Sequence, residues 1–255
     1  MSSTERNAPA SMIGRVDQIL NAFQLWGPLM SPGDIRRVTG LPKATVSRIV
    51  SELVEHRILE YSGRQLRLGI RLFELGVMAV GPRDLNRLAA HRMAHLRAAT
   101  GQTVHLAALD GREVVYVQIL RSSTSPPLPS RVGGRLPAYA TGVGKALLAW
   151  LPDAEIENSL PDKLEALGPN TITSRSRLLV ELDRIRKAGV AYERQESSDD
   201  LACAAAAIMG YDNRPIAAIS ITVHIGSVSL DTLGPAVATT AETISADAKR
   251  FRISR

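Results

Sequence analysis

"LPKATVSRIVSELVEHRIL", residues 41–59, is the stretch whose reading decides the fold of the first quarter of the chain. Val46, Ile49, Val50, Leu53 and Val54 follow the i, i+3, i+4, i+7, i+8 spacing of a helix that buries one stripe. The other side opens with Ala44, Thr45, Ser47, Arg48 and Ser51, while the acids Glu52 and Glu55 come only toward its far end. A face that meets only water mixes its charges along its length. This one is sorted.

The flanking sequence explains the sorting. Upstream, residues 11–24 set Ile13, Val16, Ile19, Leu20 and Phe23 on one helical side, and Gly27-Pro28 ends that pattern. Ser31 then stands as an N-cap, Pro32 at the first helical position and Asp34 near the place of a capping-box acid. Gly40 closes this short helix, and Pro42 begins the next, because proline fits a first turn but not a helix interior. Downstream, "ILEY" and "QLRL" alternate around Ser62, Gly63 and Arg64, a small hairpin. Helix, short helix, glycine turn, helix and hairpin is the order of a winged helix-turn-helix. In that motif the second helix of the pair enters the major groove and its first residues meet base edges. The apolar stripe therefore seats the helix. Lys43, Ala44, Thr45, Ser47 and Arg48 are left to face double-stranded DNA, with Arg64 on the hairpin meeting phosphate. A plain three-helix cluster would give the hairpin and the sorted face no purpose.

Charge agrees without deciding. The net charge is +6; residues 1–68 hold 9 basic and 6 acidic side chains, and the remaining 187 hold 22 and 19, so each part carries +3. The density is higher in the shorter part, as a nucleic-acid partner requires. A compositional bias toward Arg gives the same sums, since only five of the 31 basic residues are Lys. With 45% apolar residues, 255 residues suffice for two cores. No apolar run approaches the roughly 18 residues of a membrane span, and the polar opening "MSSTERNAPA" lacks a signal-peptide core. The single cysteine, Cys203, excludes an internal disulfide framework and fits a reducing cytoplasm.

Beyond Leu68 the pattern changes. "GIRLFELGVMAV" reads as a helical linker within 69–83, broken at Gly81-Pro82, and an amphipathic helix follows from 84 to 100. "TVHLAAL" and "EVVYVQIL" flank Asp110-Gly111, a two-residue hairpin signal, and "LACAAAAIM" and "PIAAISITVHI" flank Asp212-Asn213. Helices are expected near 143–151, 153–160, 176–188 and 232–252. Hairpins and separate helices make an α+β domain on an antiparallel sheet. The division is thus a winged helix-turn-helix at 11–68, a linker helix at 69–83 and a C-terminal domain at 84–255.

Catalytic and metal motifs fail in detail. His91 and His95 have a chelating spacing, but Arg92 stands where a zinc protease needs Glu, and no third ligand follows. "TGVGKAL", 141–147, has Tyr139 and Ala146 where a Walker A loop needs Gly and a hydroxyl, and Leu147 where a dinucleotide fingerprint needs its third Gly. It keeps Thr141 as a helix cap, with free N–H groups in the first turn that can meet an anion. Cys203 lies in an Ala-rich strand with no neighbouring base, and His56, His105 and His224 are isolated in sequence. No G-x-S-x-G elbow is present. No catalytic residue, metal or cofactor is expected.

The segments "GLPKATVSRIVSELVEHRILE", "RLGIRLFELG", "TVHLAALDGREVVYV", "RVGGRLPAYATGVGKALLAWLP" and "PNTITSR" resemble, in order, the IclR family of bacterial transcription regulators, over about residues 12–248. The resemblance implies a GAF-like effector-binding domain after the linker helix, and a homodimer or dimer of dimers on a pseudo-palindromic operator. It implies effector-binding roles for Gly142, Val143, Glu193, Leu201, Cys203, Ser220 and Thr222. Where relatives commonly read "RCIAAPV" this chain reads "ACAAAAI", and Ala204 and Ala207 are expected to reshape the pocket. The resulting expectation is a cytoplasmic regulator, on the bacterial nucleoid when bound, with no membrane partner. Its effector would be an organic or aromatic acid, with the carboxylate at Thr141–Gly144. The competing readings are a small-molecule-processing enzyme with a DNA-binding appendage and a ligand-independent architectural DNA binder.

Overall fold

The computed structural model describes residues 11–78, 80–123 and 128–254, in two compact units, 1–79 and 80–255. In the first unit, α1 (Met12–Trp26) is capped by Ser11, and α2 (Pro32–Thr39) opens on a complete capping box. Asp34 N–H donates to Ser31 Oγ (3.1 Å) and Ser31 N–H donates to Asp34 Oδ2 (3.0 Å). Gly40 ends α2 in the left-handed conformation at φ +69°, which a side chain would disfavour. Helix α3 (Lys43–Glu55) follows Pro42 directly. Its Val46, Ile49, Val50 and Leu53 are buried against Ile19, Phe23, Ile35, Leu59 and Leu66, each such side chain contributing about 1.5–3 kcal/mol. The hairpin β1 (Leu59–Ser62) and β2 (Gln65–Leu68) turns through Gly63-Arg64, with Gly63 at φ +63°. Met30 and Leu66 exchange both backbone hydrogen bonds (3.0 and 2.8 Å), tying the hairpin to the α1–α2 connection.

Two expectations are corrected here. Ile13 is 82% exposed rather than packed, because it lies a turn before the first packed residue, Val16, outside the apolar cluster. Periodicity marks which side of a helix is buried but not how far the core extends along it. The linker is also not one helix broken by Gly81-Pro82: α4 (Ile70–Val77) stops first, and α5 (Val80–Thr100) already contains both residues. In a first turn the missing N–H of proline has no intrahelical acceptor to serve, so Pro82 lies in the opening turn of the helix expected from 84.

The second unit continues with β3 (Thr103–Asp110), β4 (Glu113–Leu120), β5 (Arg135–Pro137), a 3-10 turn (Ala138–Ala140), α6 (Gly142–Leu148), α7 (Asp153–Asn158), α8 (Arg175–Ala188), β6 (Ala191–Arg194), β7 (Leu201–Met209), β8 (Pro215–His224) and α9 (Leu230–Arg250). The strands form one antiparallel sheet, ordered β5-β4-β3-β8-β7-β6. β5 and β6, of three and four residues, escape a sequence reading because, unlike the similarly short β1 and β2, neither is half of a tight hairpin marked by a two-residue turn. The first hairpin turn falls one residue later than expected: Asp110 pairs with Glu113, leaving Gly111 (φ +62°) and Arg112 as the loop.

Strand parity sorts the side chains between two cores. One face packs Val104, Leu106, Ala202, Ala204, Ile219 and Ile221 with α5 and α9. The other packs Ala107, Tyr116, Ala205 and Ala218 with α6 and α8. Ala204 belongs to the first face, so it gives no room to a pocket beside Cys203, contrary to the expectation from sequence. Thr103, His105, Cys203, Ser220 and Thr222 have the opposite parity, and pairing aligns them across neighbouring strands: Glu193 with Cys203, Cys203 with Thr222, His105 with Ser220.

Candidate nucleic-acid interface and ligand cavity

On α3, Lys43, Ala44, Ser47 and Arg48 are exposed, and Thr45 is half-buried. At about 100° per residue, Lys43 and Ser47 lie on one flank of the open face, Ala44 and Arg48 near its middle and Thr45 on the other flank. Lys43, Ser47 and Ser51 line a groove of about 390 Å³ with Pro32, Gly33 and Arg36 of α2 and Tyr61 of the hairpin. Arg36 and Tyr61 escape a reading confined to α3, although both are polar residues on elements beside it. Arg37 is paired with Asp34 (2.6 Å) and Arg67 with Glu60 (2.7 Å). Among the described residues no carboxylate pairs with Arg36, Arg48 or Arg64. Arg64 sits exposed in the hairpin turn.

In the second unit, Gly142, Val143, Glu193, Leu201, Cys203, Ser220 and Thr222 line one cavity of about 30 Å³. Thr141 Oγ1 accepts from Gly144 N–H (3.1 Å) and caps α6, leaving the N–H groups of Gly142 and Val143 for other partners. Gly142 is required by close approach, since a Cβ there would stand 2.3 Å from Cys203 Sγ. Glu193 is buried, and its Oε1 accepts from the backbone of Glu196 (2.6 Å) and Ser197 (3.1 Å). Burial raises its pKa, partly offset by those N–H donors and by Lys145. Burial also pushes the Cys203 thiol up, and the neighbouring Glu193 carboxylate adds to this, so Cys203 is a neutral wall residue.

His105, Tyr116, Ser130, Leu136 and Ser197 join the lining. His105 is 2% exposed, with Nε2 2.9 Å from Ser130 Oγ and Nδ1 3.2 Å from Thr222 Oγ1, and Tyr116 meets it edge-on at 5.3 Å. Burial and then Arg121 lower its pKa to about 3. The sequence does hold a signal for His105, a polar side chain alternating with Val104 and Leu106. Ser130 offers none. His91 and His95 face Thr239, Thr240 and Thr243 across a separate groove, and no cluster of three metal-ligating side chains occurs among the described residues. No described helix is long and apolar enough to cross a membrane.

The IclR helix-turn-helix domain matches residues 13–63, and the family described as bacterial transcriptional regulator IclR C-terminal matches residues 77–246. The chain belongs to the IclR family. It is 33% identical over 213 residues to the HTH-type transcriptional regulator XynR of Escherichia coli, covering 82% of this chain and 84% of that protein. It is 30% identical over 231 residues to the regulator KdgR of Dickeya chrysanthemi, covering 86% and 75%. An IclR homolog from Microbacterium hydrocarbonoxydans, solved with 4-hydroxybenzoate, superposes with a TM-score of 0.87 at 27% identity, covering 94% of this chain and all of that one (100%). The IclR of Thermotoga maritima follows at 0.76 and 26%, covering 93% and 98%. This IclR-family protein is therefore a DNA-binding transcriptional regulator with an effector-binding domain.

Behind the cavity of this IclR-family regulator lies a charged cluster that no sequence motif announces. Lys145 of α6 is fully buried (0% exposed), with Nζ 2.5 Å from Glu196 Oε1, 3.1 Å from Tyr192 O and 3.7 Å from Glu181 Oε1. Glu181 is shared with Arg184 (2.8 Å). The cluster ties α6 to α8 and to the turn that carries Ser197.

Proposed function

We propose that residues 11–68 bind the operator through Lys43, Ala44, Thr45, Ser47, Arg48 and Arg64, that 69–83 form the linker, and that 84–255 bind the effector. The working form is a homodimer or dimer of dimers on a pseudo-palindromic site, acting in the cytoplasm, at the nucleoid when bound, without catalysis. The uncovered apolar residues of α4, Ile70, Phe73 and Leu75, support self-association. Arg48 is expected to read bases and Arg64 to hold phosphate. Arg48→Ala should remove about 1–3 kcal/mol of preference for operator over random DNA. Arg64→Ala should weaken all sequences alike and lower the salt slope by about one. Fluorescence anisotropy on both duplexes over a salt series checks this. An unchanged preference in Arg48→Ala would rule out that docking.

The effector we assign is a small organic or aromatic acid held by Gly142, Val143, Glu193, Leu201, Cys203, Ser220 and Thr222. The observation that carries this is the convergence of those seven positions on one cavity. Its kinship with a homolog solved with 4-hydroxybenzoate supports the chemical class. The cavity has room for roughly two waters, so its walls must part to admit an acid. That movement gives binding a means of shifting the domain between two states. Calorimetry with hydroxy, keto and aromatic acids tests the assignment. Ser220→Ala should weaken the bound acid by about 0.5–1.5 kcal/mol. Glu193→Gln keeps an acceptor for the 196–197 turn but removes a charge. In the wild type, affinity for an acid should rise as pH falls through the raised Glu193 pKa, and Glu193→Gln should flatten that slope. An acid bound tightly by wild type and undisturbed by both substitutions would place the site elsewhere.

A further inference from the structure

An acid that enters this cavity needs positive charge, and among the described lining residues none is Lys or Arg. The buried Lys145 is already committed to Glu196 and Glu181. Arg135 is paired with Asp110 and Glu113. Arg121, just past the end of β4, differs. Its Nη2 donates to Ser130 O at 3.0 Å, and the same Ser130 bonds His105 inside the cavity through Oγ at 2.9 Å. Among the described residues no carboxylate pairs with Arg121, and it is exposed. A guanidinium carries five donors, and the contact to Ser130 uses one, so a fork remains for a carboxylate. The Arg121 charge also acts on the buried imidazole, lowering its pKa further.

We propose that Arg121 is the specificity residue that makes this cavity select an anion. It would hold the carboxylate of the effector beside Ser130, in place of the Thr141–Gly144 helix start expected from sequence, while His105, Ser220 and Thr222 meet the uncharged polar end. This rests on the organic-acid reading above and adds the source of the attraction. The neutral imidazole offers one donor and one acceptor, and its two hydroxyl neighbours can exchange with a hydroxyl or keto group of the ligand. The preferred class is therefore a hydroxy or keto acid over an unsubstituted one.

The test uses the full chain and three probe pairs: 4-hydroxybenzoate, benzoate and lactate, each against its own primary amide, by calorimetry at low salt. Wild type should prefer at least one acid over its amide, and 0.5 M salt should reduce that preference. Arg121→Gln should weaken that acid by about 10–100-fold and leave the amide within about twofold. Arg121→Lys should restore part of the difference. Circular dichroism controls for folding. Equal weakening of acid and amide would mean that Arg121 only anchors Ser130, and would overturn the proposal. An acid preference that survives Arg121→Gln would overturn it while sparing the organic-acid reading. If wild type binds no acid better than its amide, both fall together.

Discussion

Acidification below pH 6.5 is expected to cost the effector domain about 1.4 kcal/mol per pH unit through His105 alone. The imidazole is buried between Ser130 and Thr222, edge-on to Tyr116, with Arg121 nearby. Burial, then Arg121, lowers its pKa from 6.5 to about 3. Between those values the unfolded chain binds a proton that the folded chain refuses, so stability falls as pH falls, by on the order of 5 kcal/mol in all. Glu193 and Glu196 have raised pKa values and act in the opposite direction, gaining stability as pH falls. The His105 contribution is therefore isolated as the difference between wild type and His105→Gln. The two tryptophans fall one in each unit, Trp26 and Trp150. Urea unfolding in a Trp26→Phe background follows the effector domain through Trp150. From pH 6.5 to 4.5, His105→Gln should lose about 2–3 kcal/mol less than its parent. Equal losses would show that His105 accepts a proton in the folded domain.

Removing the cation behind the cavity is expected to be equally damaging. Lys145→Ala should cost about 3–5 kcal/mol, the typical loss when a buried ion pair is broken from one side. The stranded group would be Glu196, whose Oε1 bonds Lys145 and whose Oε2 is buried without a partner. Glu181 keeps Arg184 and should suffer less. Lys145→Met combined with Glu196→Gln removes both charges and should recover much of the loss. The Trp150 reporter reads both variants, and a loss under 1 kcal/mol for Lys145→Ala would mean that water reaches Glu196 on its own.

The winged helix was legible because its signals are local. Ser31 with Asp34, Gly40, Pro42 and Gly63 each act within a few residues, and the α3 stripe needs no distant partner. The proposed effector cavity was half legible. Ser220 and Thr222 reveal a common face through their spacing of two, and His105 alternates with Val104 and Leu106 but joins that face only when β3 pairs with β8, while Ser130 carries no local signal at all. A run of alanines carries no parity signal, so the sequence left open which face Ala204 joins. Pairing of β7 with β8 puts it on the α9 side. Lys145 was hidden for a different reason: a lysine in a helix reads as solvated until its carboxylates, 36 and 51 positions downstream, fold against it.

Selection of genomic fragments by the full-length protein, run in parallel with Arg48→Ala and with or without the acid found by calorimetry, tests the central claim most directly. Wild type should enrich fragments that share an inverted repeat, the acid should change that enrichment, and Arg48→Ala should reduce it toward random. Enrichment of the same fragments by Arg48→Ala, indifferent to the acid, would contradict an effector-tuned reader built on α3.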